Sequence, residues 1–145
     1  MGRQVSSEIK QVEIVKKELI DCGHRVFLEV PLFSSSVDMV VLNSENKLTA
    51  IELKLKDWKR ALNQVKLHTI CMDYLYICIL ELKTIDGKKR VENSCLKTGI
   101  GLYYLDVNGE APNLKEVVKP KMNNFVWSKM KNELYNYLIN RQTEV

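Results

Sequence analysis

The stretch at residues 37–56, VDMVVLNSENKLTAIELKLK, restricts the fold of this chain more than any other segment does. Two apolar runs, residues 37–42 and 48–55, flank a polar segment at 43–47 whose residues suit the turn of a β-hairpin. Three charged residues interrupt strands that otherwise look buried: Asp38, Glu52 and Lys54. The predicted hairpin therefore carries charge at positions where an apolar core would exclude it.

The symmetry of this hairpin predicts where the charges meet. If the turn is centred on Glu45, residues equally distant from it face each other, and Asp38 lies directly across from Glu52. Lys54 shares the face of Glu52, because strand side chains alternate. Opposed carboxylates destabilise a strand pair and are costly to desolvate. We therefore expect a cation between them: Lys54 supplies one positive charge, and a hard divalent ion such as magnesium would supply two more.

Two alternatives accompany this metal-site hypothesis. One is a structural salt bridge between Lys54 and either Asp38 or Glu52 at a solvated end of the sheet, since ion pairs outnumber active sites in proteins. The other is a slip of the hairpin register by one residue, which would send the two carboxylates to opposite faces of the sheet.

The segment at residues 6–22 predicts an amphipathic helix, because apolar side chains recur at three- and four-residue steps: Ile9, Val12, Val15 and Leu19. At about 100° per residue, Glu8 falls within this apolar stripe and Glu13 falls outside it. We therefore expect Glu8 to point toward the core, although an inward glutamate can also cap a helix or extend to solvent. It would join Asp38 and Glu52 if the first helical turn lies over the end of the hairpin.

The rest of the chain adds strands and helices around the hairpin, giving the order α-β-β-β-α-β-β-α of an α/β fold. The charged segment at 84–98 predicts a loop or a short helix. The remaining predicted elements are strand 25–30, helix 58–72, strand 74–80, strand 101–107 and helix 124–140.

Composition narrows the class of protein. With 145 residues, 46% of them apolar and 28% charged, the chain fits one globular domain spanning 1–145. The longest apolar run, 74–80, is too short to span a bilayer, and MGRQVSSEIKQ lacks the apolar core of a secretory signal, so we expect a cytoplasmic protein without a membrane partner. The four scattered cysteines predict reduced thiols rather than a zinc site. A net charge of +4 permits a polyanionic partner without requiring one.

Taken together, these residues resemble the PD-(D/E)xK nuclease superfamily, which has the restriction-endonuclease-like fold. Its signature is an acidic residue at the start of one strand and Glu-x-Lys on the next. Here these are Asp38 and Glu52-Leu53-Lys54, with thirteen residues between Asp38 and Glu52. Glu8 on the preceding helix agrees with the same pattern.

The segments around the signature extend the resemblance over about residues 6–107. Glu-Val-Pro-Leu at 29–32 leads into the hairpin, and Gln64 lies on the helix that follows it. Two positions depart from the pattern: Val37 stands where the superfamily name has proline, and His68 replaces the tyrosine expected four residues after Gln64.

The resemblance implies a mixed β-sheet flanked by helices and a metal-dependent nuclease that hydrolyses phosphodiester bonds in DNA, in restriction, repair, recombination or defence. It implies Mg²⁺ or Mn²⁺ held by Asp38, Glu52 and the carbonyl of Leu53. Lys54 would orient the attacking water or neutralise the phosphate. Glu8 and Gln64 would be auxiliary groups. Three basic residues just beyond the signature would hold flanking phosphates: Lys56, Lys59 and Arg60. Trp58 would either stack on a base or cover the start of the helix.

Rival functions follow from the same residues. The fold can persist in a catalytically silent nucleic-acid-binding or scaffold protein, although intact Asp38, Glu52 and Lys54 argue against this. A domain that acts only within a larger complex is a third hypothesis. RNA remains an alternative to DNA, and cutting both strands of a duplex would favour a homodimer.

Overall fold

A six-stranded mixed sheet, with its strands in sequence order, organises the protein in a computed structural model that describes residues 8–33 and 35–143. The strands are Arg25–Leu32 (β1), Ser35–Leu42 (β2), Leu48–Leu53 (β3), Tyr74–Leu80 (β4), Gly101–Asp106 (β5) and Asn113–Val118 (β6). The helices are Glu8–Asp21 (α1), Trp58–Lys66 (α2), Ile85–Thr98 (α3) and Ser128–Thr143 (α4), with a 3₁₀ turn at Thr69–Cys71.

The pairing of the strands confirms the predicted mixed sheet. β1, β2 and β3 pair antiparallel, β3 pairs parallel with β4, and β4 pairs parallel with β5. β6 pairs antiparallel with β5 and forms one edge, while β1 forms the other. α2 and α3 provide the crossovers that the two parallel pairs require.

The hydrophobic core lies on both faces of the sheet. α1 packs on one face, where Val15 and Leu19 contact the buried side chains of Met39, Ile51 and Leu53. The other three helices pack on the opposite face and bury the larger apolar cluster. Ala61 of α2, Val91 of α3 and Leu138 of α4 belong to this cluster. Because α1 is the helix that covers the first face in the described part of the chain, its position decides what lies beside the end of the hairpin.

All eight predicted elements are present in the predicted order, and the structure adds two. The charged segment at 84–98 is a full helix, α3, which Thr84 caps by accepting from the Gly87 N–H at 3.0 Å. Gly99 ends it with a left-handed φ of 74°. The sixth strand, β6, lies on the sheet edge and alternates poorly between buried and exposed residues, so periodicity does not reveal it.

Several bounds differ from the expectation. β1 continues through Pro31 to Leu32, because an edge strand does not need the missing proline N–H. α2 ends at Lys66, and the chain continues as a 3₁₀ turn; Leu67 is 68% exposed and does not extend the buried stripe. α4 begins at Ser128 rather than at 124. Residues 6 and 7, where the first helix was predicted to begin, lie outside the described residues.

None of the helices in the described ranges combines the length and the apolar character needed to cross a bilayer. Within the same ranges, all four cysteines are free thiols; Cys71, Cys78 and Cys95 are buried, and Cys22 is exposed.

Replacing Gly101 with alanine should destabilise the sheet. A Cβ at Gly101 would lie 2.5 Å from a ring carbon of Tyr76 and 3.0 Å from Pro120 Cδ. The Tyr76 ring is held in place by stacking on Tyr103, with centroids 4.5 Å apart. Overpacking of this kind costs about 1–3 kcal/mol, which urea unfolding would measure. Gly109→Ala is the matched control, because its Cβ would meet nothing closer than 3.7 Å; equal stability of the two variants would contradict the prediction.

Candidate active site

The turn between β2 and β3 is fixed by one side chain. Asn43 Oδ1 accepts hydrogen bonds from the backbone N–H groups of Glu45 and Lys47, both at 2.9 Å. Asn46 adopts a φ of 61°, a left-handed conformation that asparagine tolerates better than most residues. These contacts determine which residues of the two strands face each other.

The register of the hairpin is the one predicted from its symmetry. Met39 lies opposite Ile51, and Leu42 lies opposite Leu48. Continuing in the same register, the next pair beyond Met39 and Ile51 is Asp38 with Glu52. The sequence prediction of this juxtaposition is confirmed.

The two carboxylates replace the backbone ladder at this point. The Asp38 N–H donates to Glu52 Oε2 at 3.0 Å, and the Leu53 N–H donates to Asp38 Oδ2 at 3.0 Å. Each side chain thus accepts from the backbone of the opposing strand. Within the described residues, the other oxygen of each carboxylate, Asp38 Oδ1 and Glu52 Oε1, has no hydrogen-bond partner.

Both carboxylates are partly or wholly removed from water. Glu52 is only 3% exposed, and Asp38 is half-buried. Burial raises the pKa of Asp38 to about 6, against the lowering effect of the Leu53 hydrogen bond. The charges of Glu52 and Glu8 raise this pKa as well, and that of Lys54 lowers it. Glu52, Glu8 and Lys54 are therefore each close enough to act on Asp38.

The alternative of a structural salt bridge at this position is not found. Among the described residues, neither Asp38 nor Glu52 has a lysine or arginine nitrogen within salt-bridge distance. The buried Asp73 differs: its Oδ2 lies 2.8 Å from Lys131 Nζ and also accepts from a backbone N–H. A pair of carboxylates without a lysine or arginine partner is costly to bury and favours a cation between them.

Gln11 positions the main chain of Lys54, a role that the sequence analysis missed. Its Nε2 donates to Lys54 O at 3.0 Å and to Cys78 O at 3.3 Å, and Lys54 N–H donates to the same Cys78 carbonyl at 3.0 Å. Gln11 is completely buried. The signal was present in the sequence, because Gln11 lies one and two helical turns before Val15 and Leu19 on the buried stripe.

Glu8 does not point into the core, so that expectation is wrong. Its side chain is exposed, as are those of Ile9 and Lys10, because the first turn of α1 extends past the buried part of the helix. Glu8 instead borders a groove of about 350 Å³ together with Asp38 and Leu53. Glu13, which the helical projection had placed outside the stripe, borders the same groove.

A strained residue lies in this groove opposite Asp38. Glu29 has a φ of 46°, which is uncommon for any residue other than glycine. It falls between the pairs Leu28–Met39 and Val30–Val37 of β1 and β2 and makes no ladder pair itself. Such strain persists only where surrounding contacts enforce it, and it often accompanies functional sites.

Of the two residues singled out in the α2 segment, His68 has a polar contact with a carboxylate of the site among the described residues, and Gln64 has none. His68 is buried, at 2% exposure, and its Nε2 lies 3.5 Å from Glu52 Oε2. His68 Nδ1 and Gln64 Oε1 are buried polar atoms without a hydrogen-bond partner among the described residues. In that same part of the chain, no hydrogen bond joins Gln64 to Asp38 or Glu52, so its predicted auxiliary role remains a prediction.

The predicted phosphate contacts lie at the start of α2. Lys56, Lys59 and Arg60 are exposed, whereas Trp58 is half-buried and packs against the core cluster. Lys59 Nζ lies 5.6 Å from the centre of the Trp58 ring. Trp58 therefore covers the helix start, and the roles of the three cations stay predictions.

The carboxylate oxygens of Asp38 and Glu52 are donor atoms of the chemical type that a hard divalent cation takes. In the described residues, no group of three or more His, Cys, Asp and Glu side chains is arranged to hold a metal ion. Asp38 and Glu52 nevertheless each leave one oxygen without a hydrogen bond, on adjacent strands at one end of the hairpin. Carboxylate and main-chain oxygens, completed by water, are the ligands that Mg²⁺ takes.

Comparisons with known proteins support the fold. No protein-family model matches the chain, and no curated protein matches it in sequence. The structure is similar to SPO1766, a protein of unknown function from Silicibacter pomeroyi, with a TM-score of 0.64 and 15% identity over 90% of this chain and 84% of that one. A repair endonuclease from Pyrococcus abyssi has a TM-score of 0.48 and 19% identity over 69% of this chain and 47% of that one. The first likeness shows the fold alone, and the second is too weak to carry an argument.

Replacing Asp38 with asparagine should stabilise the metal-free protein above about pH 6. Its pKa is raised in the folded state, so the folded protein binds the proton more tightly than the unfolded chain, and stability falls as pH rises between about 4 and about 6. The variant lacks this penalty and keeps an acceptor for the Leu53 N–H. Its advantage over wild type, measured by urea unfolding in a chelator, should disappear near about pH 4.

Asp106→Asn is the control of opposite sign. The Asn108 N–H and Lys115 hold the pKa of Asp106 below its usual range, so this variant should lose stability near neutral pH. An Asp38→Asn protein that is less stable than wild type at about pH 7.5 would contradict the description of the site as a destabilising charge pair.

Proposed function

We propose that this protein is a metal-dependent nuclease of the PD-(D/E)xK superfamily that hydrolyses phosphodiester bonds in DNA. The observation that carries the proposal is the pairing of Asp38 with Glu52 across two strands, without a lysine or arginine in direct contact among the described residues. Lys54 lies close enough to affect the ionisation of Asp38. The sequence spacing and this juxtaposition support the same assignment.

Asp38, Glu52 and the Leu53 carbonyl would hold the cation. A bound Mg²⁺ or Mn²⁺ would supply a Lewis acid for the phosphodiester and lower the pKa of the attacking water. Asp38 and Glu52 are preorganised for binding, because backbone N–H groups already fix one oxygen of each. Lys54 would place its ammonium beside the phosphate, where it stabilises the charge that develops on the oxygens.

Two neighbouring side chains, Gln11 and His68, hold Lys54 and Glu52 in position. Gln11 ties the main chain of Lys54 to α1 and β4, so its side chain starts from a fixed point. His68 lies against Glu52 and limits the orientation of that carboxylate on the α2 side of the sheet. Glu8, at the rim of the groove, would act through water or a second cation rather than from within the core.

Substitution of Asp38 or Lys54 with alanine should reduce DNA cleavage by roughly 100-fold or more, because each removes a charge that acts in the transition state. Purified protein would be incubated with labelled duplex, single-stranded and branched DNA and with RNA, in Mg²⁺ or Mn²⁺. Lys97→Ala, on the exposed end of α3, is the control and should cleave like wild type.

The outcomes of this assay separate the hypotheses. Cleavage that survives both site substitutions comes from a contaminant and counts against the proposal. Binding of nucleic acid by wild type without any cleavage would support the catalytically silent alternative instead.

Divalent cations should raise the melting temperature of wild type, because a ligand that binds only the folded state stabilises it. At a concentration about 100 times the dissociation constant, the gain is about 2.7 kcal/mol. Glu52→Gln should lose this response, since it removes one charged ligand, whereas Glu45→Gln, exposed in the turn at the opposite end of the hairpin, should keep it. An unchanged shift in Glu52→Gln would place the cation elsewhere.

A further inference from the structure

A second groove runs along the exposed edge of the sheet, between α1 and α4. It has a volume of about 650 Å³ and lies beside residues Arg25 to Leu28 of β1. Lys16 and Ile20 border it from α1, and Arg141 borders it from α4. We name it the basic groove, because Lys16, Arg25 and Arg141 line it and none of its described lining residues is acidic.

One of these cations is held in position by a hydrogen bond, and a second is partly removed from solvent. Arg141 Nη2 donates to the carbonyl of Leu28 at 2.7 Å, which anchors the guanidinium on the β1 edge and leaves further N–H donors directed away from this bond. Lys16 is half-buried on the flank of α1. Fixed cations lose less conformational entropy when they bind an anion.

The basic groove leads to the candidate active site. Leu28 borders both the basic groove and the groove that contains Asp38. On α1, Glu13 borders the groove that contains Asp38, and Lys16, nearly one helical turn later, borders the basic groove. From Arg25 to Glu29, β1 spans about 13 Å at about 3.3 Å per residue, a length equal to the rise of roughly four base pairs along the axis of a duplex.

We infer that the basic groove binds the phosphates of the nucleic-acid strand on one side of the bond to be cut. The inference rests on the proposed function and adds to it a direction for the strand, along β1 and away from Asp38. Charge favours this occupant, because Lys16 and Arg141 line the groove and its described lining residues include no carboxylate, which gives the groove a positive charge that attracts a polyanion. Apolar side chains at the groove, such as Ile20, give the sugars and bases a surface to contact.

Salt dependence of binding tests the inference. Lys16→Gln and Arg141→Gln would be combined in an Asp38→Asn protein, so that the DNA is not cut, and fluorescence anisotropy of a labelled oligodeoxynucleotide would be measured over a range of NaCl concentrations. We expect the dissociation constant to rise roughly tenfold or more. The slope of log K against log salt should fall in magnitude by about 2, because each lost phosphate contact removes about 0.9.

Controls keep the result specific. Lys89→Gln with Arg90→Gln makes the same change in charge on α3, which packs near the opposite edge of the sheet, and should leave the slope unchanged. Lys16→Gln alone should reduce the slope by about 1 and covers the case in which loss of the Arg141 anchor prevents folding. Arg141→Lys keeps the charge and should retain most of the slope.

An unchanged slope and affinity in the folded double variant would overturn the inference, as would a fall of equal size in the α3 control. Because binding is measured in an inactive background, this outcome is separate from the failure of the proposed function, which would be an absence of cleavage by the wild-type protein.

Discussion

The exchange of hydrogen bonds between β2 and β3 is the constraint on which the rest of the site depends. Where the backbone ladder ends, Asp38 and Glu52 each accept an N–H from the opposing strand, so the strand ends stay joined although the carbonyls no longer pair. The same bonds hold two carboxylates close together and partly dehydrated, a combination that is unfavourable without a cation. Structural and functional demands thus fall on the same two residues.

The second constraint is the attachment of α1. Gln11 is buried between the helix and the sheet and joins the carbonyl of Lys54, which directly follows β3, to that of Cys78 on β4. The Nε2 of this buried amide is bonded, whereas its Oε1 has no hydrogen-bond partner among the described residues. Sliding α1 along the sheet would leave Nε2 unpaired as well, so these bonds specify the position of the helix. That position leaves the first turn of the helix beyond the core, which explains why Glu8 borders a groove instead of filling one.

Local signals accounted for the hairpin and for most of the element order, because periodicity and turn chemistry act over a few residues. The register followed from the turn that Asn43 closes, and it delivered the pairing of Asp38 with Glu52. Tertiary contacts decided what the sequence left open. The helical stripe could not show where the sheet stops beneath Glu8, and neither spacing nor composition indicated that His68, distant in sequence, would contact Glu52.

The seam between α1 and β1 divides into two regions of opposite charge. Near Asp38 it is bordered by carboxylates, including Glu13 and Glu29, whereas around Arg141 its charged residues are basic. A polyanion drawn to the basic end would be repelled at the acidic end unless a cation reduced the negative charge there. Cation and nucleic acid would then raise each other's affinity by the same factor, as thermodynamic linkage requires. If the proposed function holds, the acidic end would exclude nucleic acid until a cation is bound, and the strand would reach Asp38 only when the site is complete.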